Sequence, residues 1–299
     1  MLASELPEIC MGFPAQLPAK QAWWKAGVLL VLIAWLYVPI LLRLAQQCWA
    51  DPNWSHGLIV PIFSAFVLWR QRNYLASLSA HPSAWGVPLL CVAMAVLVLG
   101  VLGAELFLSR ISLLLVLAGL IVLFFGWQCF RSVLFPWAFL ILMIPIPSIV
   151  LNHITFPLQI LASKLAAALL AIVGVPVLRE GNVIHLPSIS LEVAEACSGI
   201  RSLLSLLTLA VIYGFLVEGR KSIRVLLGLA AIPIAVLANG LRIVGTGVLA
   251  QYWDPSKAQG FFHSFSGWLI FLLSLASFVS LHRLWRLFVR WHEARADAF

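Results

Sequence analysis

The sequence predicts an all-α polytopic membrane protein with about eight transmembrane helices, an interfacial helix and a short hairpin on the outer face. Three observations support this prediction. Hydrophobic residues make up 63% of the 299 residues and charged residues only 10%, whereas about 25% of an ordinary soluble domain is charged. Several apolar runs approach the ~20 residues that cross a bilayer. Lysine and arginine recur between these runs in a regular order.

The excess of basic over acidic residues gives a formal net charge of +8. In a soluble protein this charge would indicate a nucleic-acid partner, but in a membrane protein basic residues first mark the side of the bilayer on which a loop lies. The five cysteines form no C-x-x-C pair, so neither a disulfide framework nor a zinc cluster is indicated. The sequence therefore predicts no nucleic-acid partner, no metal and no cofactor.

We predict one transmembrane domain, residues 27–282, between two cytoplasmic segments. Residues 1–26 have no basic region or long apolar stretch before Lys20, so we expect a retained N-terminal segment rather than a cleavable signal peptide. Residues 283–299 form a basic tail. The apolar runs of the domain are Gly27–Leu44, Trp54–Trp69, Trp85–Gly103, Ile111–Trp127, Val133–Leu151, Ile154–Leu178, Cys197–Val217, Val225–Leu249 and His263–His282.

The basic residues decide how these runs cross, because cytoplasmic loops collect lysine and arginine. Residues 133–178 are too few for three crossings. If residues 133–178 cross the membrane once, most basic residues of the chain lie on the inner side. We therefore predict eight crossings with both termini inside, and Ile154–Leu178 as an interfacial helix on the outer face, with a re-entrant path left open. The inner basic residues are Lys20, Lys25, Arg70, Arg72, Arg131, Arg220, Lys221, Arg224, Arg283, Arg286, Arg290 and Arg295.

This topology brings four polar segments to the outer face. They comprise residues 51–57 (DPNWSHG), 179–194, 238–243 (ANGLRI) and 261–268 (FFHSFSGW). The second segment alternates apolar and polar residues around Pro187-Ser188, as a short hairpin does, and leads directly into EACSGIR. The convergence of these segments is the main functional indication.

Arg242 lies inside a predicted span, seven residues before Leu249 and therefore about 10 Å along the helix. An arginine at the centre of a membrane helix costs ~2.5–3.5 kcal/mol, so we expect an anionic partner or a ligand. The alternative is snorkelling to lipid headgroups. Asn239, three residues earlier on the same helical face, is expected to hold the guanidinium or to donate to the same ligand.

Cys197 lies at the predicted first turn of a span, where free N–H groups and the positive helix end favour a thiolate. Ser198 and Gly199 leave room for a substrate backbone, and Arg201 follows one turn later on the same side. Glu195 is expected to orient a histidine or pair with an arginine, unless it is a solvated loop acid. A cysteine in an apolar helix is more often a small buried hydrophobe, which is the interpretation we prefer for the other four.

His263 begins the last span and can reach the same layer. Cys197, His263 and Arg242 together supply a nucleophile, a proton carrier and a cation for a developing oxyanion, which are the parts of acyl transfer. His56 and His185 share the outer side and are reserves for the role of the base.

Three motifs resemble those of the exosortase/archaeosortase family. EACSGIRS at Glu195–Ser202, ANGLRI at Ala238–Ile243 and HSFSGW at His263–Trp268 are similar to its Cys, Arg and His motifs. The family has further motifs that are less directly involved in its chemistry, and these resemble residues 51–57, 144–147 and 179–187. The resemblance implies that Cys197 is the nucleophile, Arg242 the motif arginine and His263 the motif histidine.

The resemblance implies an integral membrane cysteine protease or transpeptidase that cleaves the C-terminal sorting signals of exported proteins through a thioacyl-enzyme. Such a signal comprises a short motif such as Pro-Glu-Pro, a transmembrane helix and a basic tail. The family further implies the bacterial inner membrane, an active site on the periplasmic face and a link to exopolysaccharide production. The implied partners are the exported proteins, membrane lipid and an acceptor molecule. The fused C-terminal periplasmic domain of some members is expected to be absent.

Two other functional classes stay open at this point. A transporter would place Arg242 and the outer histidines around a pathway through the bilayer, although the sequence has no inverted repeat. A scaffold for exopolysaccharide export would need no nucleophile.

Overall fold

The computed structural model describes residues 19–193, 200–252 and 261–296. The chain divides into two units, residues 1–44 and 45–299, and the contacts discussed below lie within the second. The helices are α1 (Ala19–Ala50), α2 (Ile59–Arg70), α3 (Arg72–Ser77), α4 (Gly86–Leu102), α5 (Leu106–Phe139), α6 (Ser148–Ile172), α7 (Ile200–Val217), α8 (Lys221–Tyr252) and α9 (Phe261–Ala296). Short 3₁₀ turns, Ser55–Leu58 and Leu140–Met143, precede α2 and follow α5.

Six helices in the described ranges are long and apolar enough to cross a membrane. They are Gly27–Ala50, Leu106–Met143, Ser148–Ile172, Ile200–Val217, Lys221–Tyr252 and Phe265–Trp291, and Ser55–Arg70 and Gly86–Leu102 are shorter apolar helices. This pattern confirms a polytopic, mainly helical membrane protein. The number of eight crossings stays a prediction.

Helix α5 reverses direction at Gly126, where φ is 84° and ψ is 177°. Only glycine adopts this backbone conformation at little cost. The indole Nε1 of Trp137 donates to the carbonyl oxygen of Leu114 at 2.8 Å, although these residues would lie about 35 Å apart in a straight helix. The two arms of α5 are therefore antiparallel, and they correspond to the fourth and fifth predicted runs.

The predicted boundary between the fifth and sixth runs is wrong. The prediction continued the fifth run to Leu151, but its helix ends at Met143 and α6 begins at Ser148. Pro145 and Pro147 explain the difference, because proline lacks an N–H and disfavours a helical conformation in the residue before it. Helix α6 also ends before the predicted Leu178. It is long and apolar enough to cross a membrane, and the interfacial position stays a prediction.

A three-stranded antiparallel sheet follows α6, in the order β1 (Leu178–Glu180), β2 (Val183–His185) and β3 (Ser190–Glu192). The predicted hairpin around Pro187-Ser188 is confirmed as the β2–β3 pair. Strand β1 was not predicted; it joins β2 through Gly181 at a φ of 62°. The sheet packs on α6 and α8 through a buried cluster of Ala162, Ala166, Leu170, Val175, Ile184, Leu186, Val193 and Ile243.

Helices α7 and α8 are antiparallel neighbours joined by a short turn. A side-chain carbon placed at Gly214 would lie 3.5 Å from the Cα of Arg224. Because the two helices are antiparallel and rise equally per residue, equal numbers of residues counted away from this contact reach the same level. Ile200 on α7 therefore lies about level with Ala238 and Asn239 on α8. Helix α9 packs on both helices through a second buried cluster of Leu206, Ala210, Leu227, Ala231, Ala235 and Phe278.

A polar cluster around the buried His282 fixes the turn between α7 and α8 to α9. His282 is 2% exposed; its Nε2 lies 2.8 Å from the Oε1 of Glu218, and its Nδ1 lies 2.9 Å from the hydroxyl of Tyr213. Arg286 adds an ion pair to Glu218 at 3.7 Å. We call these four residues the His282 cluster. It lies at the end of α7 opposite Ile200.

Candidate functional site

The guanidinium of Arg242 lies where α8 meets α9. Arg242 is half-buried, and its Nε donates a long hydrogen bond of 3.5 Å to the hydroxyl of Ser266. A side-chain carbon placed at Gly267 would lie 3.3 Å from Nη2, so glycine leaves room for the guanidinium. Asn239, one turn earlier on α8, is 3% exposed. Of the two residues singled out in the ANGLRI motif, Asn239 is therefore buried and Arg242 contacts the start of α9.

Position 263 belongs to the first turn of α9, and the side chain of His263 lies outside the described part of the chain. Positions three and four residues apart share one face of a helix. Position 263 is therefore on the same face as Ser266 and Gly267, the residues that meet Arg242. The separation along the helix axis is about 5 Å. Ser266 is a contact that the sequence analysis missed, although it lies within the HSFSGW motif.

Glu195, Cys197 and Ser198 lie outside the described residues, but the chain on both sides of them is described. Val193 is 1% exposed and packs in the same cluster as Ile243, the neighbour of Arg242. Ile200 is buried at the start of α7. Both ends of segment 194–199 therefore lie near the part of α8 that carries the ANGLRI motif.

Arg201 connects the start of α7 to the segment between α1 and α2. Its Nε donates to Oδ1 of Asn53 at 3.1 Å. The backbone N–H of Asn53 in turn donates to Oδ1 of Asp51 at 2.9 Å, which fixes the turn. The predicted convergence of residues 51–57 with the Cys motif is therefore supported by a direct contact at Arg201. The segment was predicted from the sequence, but Asn53 was not predicted as the contacting residue.

The two reserve histidines occupy different surroundings. His56 is 6% exposed, its ring centroid lies 6.0 Å from that of Trp54, and neither ring nitrogen has a hydrogen-bond partner among the described residues. The Nδ1 of His185 lies 2.8 Å from the hydroxyl of Ser190, and its Nε2 lies 3.7 Å from Glu180. His185 is thus engaged within the sheet, whereas His56 is a buried imidazole close to the Arg201–Asn53 contact in sequence.

No group of three or more histidine, cysteine, aspartate or glutamate side chains that could hold a metal ion occurs within the described ranges.

Comparison with protein families gives one finding. A family model described as transmembrane exosortase matches residues 48–280, which include the segments that carry all three motifs. Neither the curated proteins nor the solved structures give a match. The match covers most of the chain and confirms the resemblance found in the sequence.

Proposed function

We propose, because the chain belongs to the transmembrane exosortase family, that it is a cysteine protease or transpeptidase that cleaves the C-terminal sorting signals of exported proteins. Family membership and the apolar helices establish that the chain is a multi-pass membrane protein of a family that acts in protein sorting. The finer parts of the proposal are a Pro-Glu-Pro type motif, the bacterial inner membrane with a periplasmic active site, and a link to exopolysaccharide production.

One observation carries the proposal. The guanidinium of Arg242 lies against Ser266, one helical turn from position 263, while the neighbouring Ile243 shares a buried cluster with Val193. Val193 precedes Cys197 by four residues. Val193, just before the Cys motif, and Ser266, within the His motif, are therefore held near the same half of α8. This supports a nucleophile, a cation and a proton carrier within reach of one substrate carbonyl.

The proposed reaction has two acyl-transfer steps. The thiolate of Cys197 attacks the carbonyl carbon of the scissile peptide, and Arg242, with Asn239, stabilises the negative charge that develops on the oxygen. His263 gives a proton to the leaving amine as the C–N bond breaks, which leaves a thioester. Water or an acceptor amine then attacks the thioester, transfers a proton to His263 and releases the thiolate.

The remaining proposed residues support this reaction. Glu195 orients His263 or pairs with a cation, and Ser198 leaves space for the substrate backbone. Arg201 holds the start of α7 to residues 51–57 through Asn53. His56 is the reserve base if His263 does not move the proton.

Covalent trapping tests the proposed function. A reporter protein that ends in Pro-Glu-Pro, an apolar helix and a basic tail is expressed together with the chain or with Cys197→Ala. The wild-type chain should shorten the reporter and form an adduct that hydroxylamine releases, because hydroxylamine cleaves thioesters. Cys197→Ala should accumulate the full-length reporter and form no adduct.

Cys91→Ala is the matched control, because Cys91 is a free, exposed thiol on α4 and should not affect processing. Full processing by Cys197→Ala would exclude cysteine catalysis. Unprocessed reporter that is nevertheless sorted normally by this variant would favour the scaffold function.

A further inference from the structure

Strand β3 is an edge strand of the sheet, and among the described residues no further strand pairs with it. Along an antiparallel strand, successive residues direct their backbone N–H and C=O groups to opposite sides. The carbonyl of Ile189 accepts from Leu186 at 2.8 Å and the N–H of Val193 donates to Asn182 at 2.9 Å, so alternate residues of this strand bond to β2. Ser190 and Glu192 therefore direct their backbone groups outward, and among the described residues none forms a backbone hydrogen bond with them.

The turns of the sheet that carries this edge are anchored to two helices. The hydroxyl of Ser163 on α6 donates to the carbonyl of Gly181 at 3.1 Å, and the hydroxyl of Ser188 donates to the carbonyl of Ala250 on α8 at 3.3 Å. On the inner face, Ile184 is fully buried. A peptide that binds to β3 would therefore meet a preformed strand, which lowers the entropy lost on binding.

The open edge also leads directly to the proposed nucleophile. Glu192 precedes Cys197 by five residues, and an extended chain covers at most ~3.6 Å per residue, so the chain itself limits the separation of the two Cα atoms to about 18 Å. Exposed strand edges bind extended peptides through main-chain hydrogen bonds. A scissile carbonyl must itself be free of helical hydrogen bonds before a thiolate can attack it.

We propose that β3 binds the substrate's signal motif as an added, extended strand, which carries the scissile bond to Cys197. This inference rests on the proposed function. A Pro-x-Pro motif fits such an edge, because residues i and i+2 of a strand direct their backbone groups to the same side. Both prolines, which lack an N–H, then face away from β3. The middle residue exchanges hydrogen bonds with the backbone of Glu192.

Proline at position 192 tests the edge, because it removes the outward N–H and leaves the bonds to β2 intact. In single-turnover cleavage of the reporter, Glu192→Pro should lower kcat/KM by about tenfold relative to Glu192→Ala, the effect of one lost hydrogen bond. Arg179→Pro removes the corresponding N–H of the opposite edge strand β1 and should process at the wild-type rate. Equal kcat/KM for Glu192→Pro and Glu192→Ala would overturn the proposal.

A second measurement uses the wild-type enzyme, so that folding of a variant does not enter. Reporters with Pro-Ala-Pro and Pro-Pro-Pro in place of Pro-Glu-Pro differ in the N–H of the middle residue. The Pro-Pro-Pro reporter should be processed about tenfold more slowly than the Pro-Ala-Pro reporter. Equal rates would overturn strand addition while leaving cysteine catalysis intact. Processing that continues in Cys197→Ala would instead refute the proposed function.

Discussion

At the scale of single residues, two roles are open to Arg242: stabilising the oxyanion or binding an acid of the signal. The planar guanidinium donates aligned hydrogen bonds that the point charge of lysine does not reproduce. In the first role, Arg242→Lys should slow the chemical step by ~10²–10³-fold and change substrate binding less. Single-turnover cleavage at varied substrate concentration separates the two effects.

The matched control for this substitution is Arg283→Lys, an exposed arginine of α9 that should cleave at the wild-type rate. Weaker binding with an unchanged chemical step would assign Arg242 to the acid of the signal. Wild-type rate and affinity together would return it to a snorkelling arginine.

Glu218 is expected to contribute to stability rather than to catalysis. Glu218→Ala leaves the Nε2 of the buried His282 without its 2.8 Å partner and removes the ion pair with Arg286. An unsatisfied buried polar group costs about 1–3 kcal/mol, so the melting temperature in detergent should fall by several degrees. The rate of processing at a permissive temperature should stay near wild type, because the His282 cluster lies at the end of α7 opposite Ile200.

Glu218→Gln tests the cause of this effect. The amide oxygen still accepts from Nε2 of His282, whereas the charge that pairs with Arg286 is gone, so the melting temperature should lie between those of the wild type and Glu218→Ala. An unchanged melting temperature for Glu218→Ala would show that the cluster adds nothing to stability.

The sequence predicts chemically distinctive residues better than it predicts their partners. Arg242 was indicated by a charge inside an apolar helix, and Asn239 by its position three residues earlier on the same helical face. The contacts Arg242–Ser266 and Arg201–Asn53 depend on which helices and loops meet in three dimensions, and helical periodicity contains no such information. Glu218 carried a signal that was not used, because it is an acid in a loop that otherwise contains basic residues.

At the scale of secondary-structure elements, apolar runs predicted the helices because a helix surrounded by lipid and a helix buried in protein both require mostly apolar residues. The predicted start of α6 was wrong because the run of hydrophobic residues received more weight than Pro145 and Pro147. Strand β1 was missed because the predicted alternation was centred on the Pro187-Ser188 turn, whereas β1 lies before the separate turn at Gly181. Its position depends on pairing with β2 and on the Gly181 turn, and pairing is a tertiary interaction.

The reversal of α5 provides a prediction at this scale. Gly126→Ala places a Cβ against the carbonyl oxygen of His81. The backbone N–H of His81 donates to the carbonyl oxygen of Phe125 at 3.3 Å, which holds His81 close to the turn. The backbone conformation alone costs of order 1–3 kcal/mol for a residue other than glycine. We expect a lower yield of folded protein and a lower melting temperature, measured by size-exclusion chromatography after heating in detergent.

Gly228→Ala in α8 is the matched control, because nothing lies within 4 Å of the added carbon. Alanine inside a helix is favoured over glycine by roughly 0.5–1 kcal/mol, so this variant should be at least as stable as the wild type. Equal melting temperatures for Gly126→Ala and wild type would mean that the two arms of α5 do not require glycine at their turn.

At the scale of the whole molecule, the proposed site and the basic residues assigned to the cytoplasm lie at opposite ends of α7. The proposed site gathers around Ile200 and Arg201, whereas Glu218, Arg224 and Arg286 lie at the other end. The basic residues that follow α7 and those in the last turns of α9 are the ones that the sequence assigns to the cytoplasm. We therefore expect the proposed site to face the outer aqueous side.

Labelling of Cys197 in intact cells tests this orientation. In a variant that lacks the other four cysteines, a membrane-impermeant maleimide should react with Cys197 from outside, because the proposed thiolate must be reached by an exported substrate. Asn73→Cys in a cysteine-free variant is the matched inner control: Asn73 is exposed on α3 beside Arg72 and should react only after permeabilisation. Denatured samples establish that both thiols are reactive. Cys197 that reacts only after permeabilisation would place the proposed site on the cytoplasmic side, where the cleavage of a signal on an exported protein would be excluded.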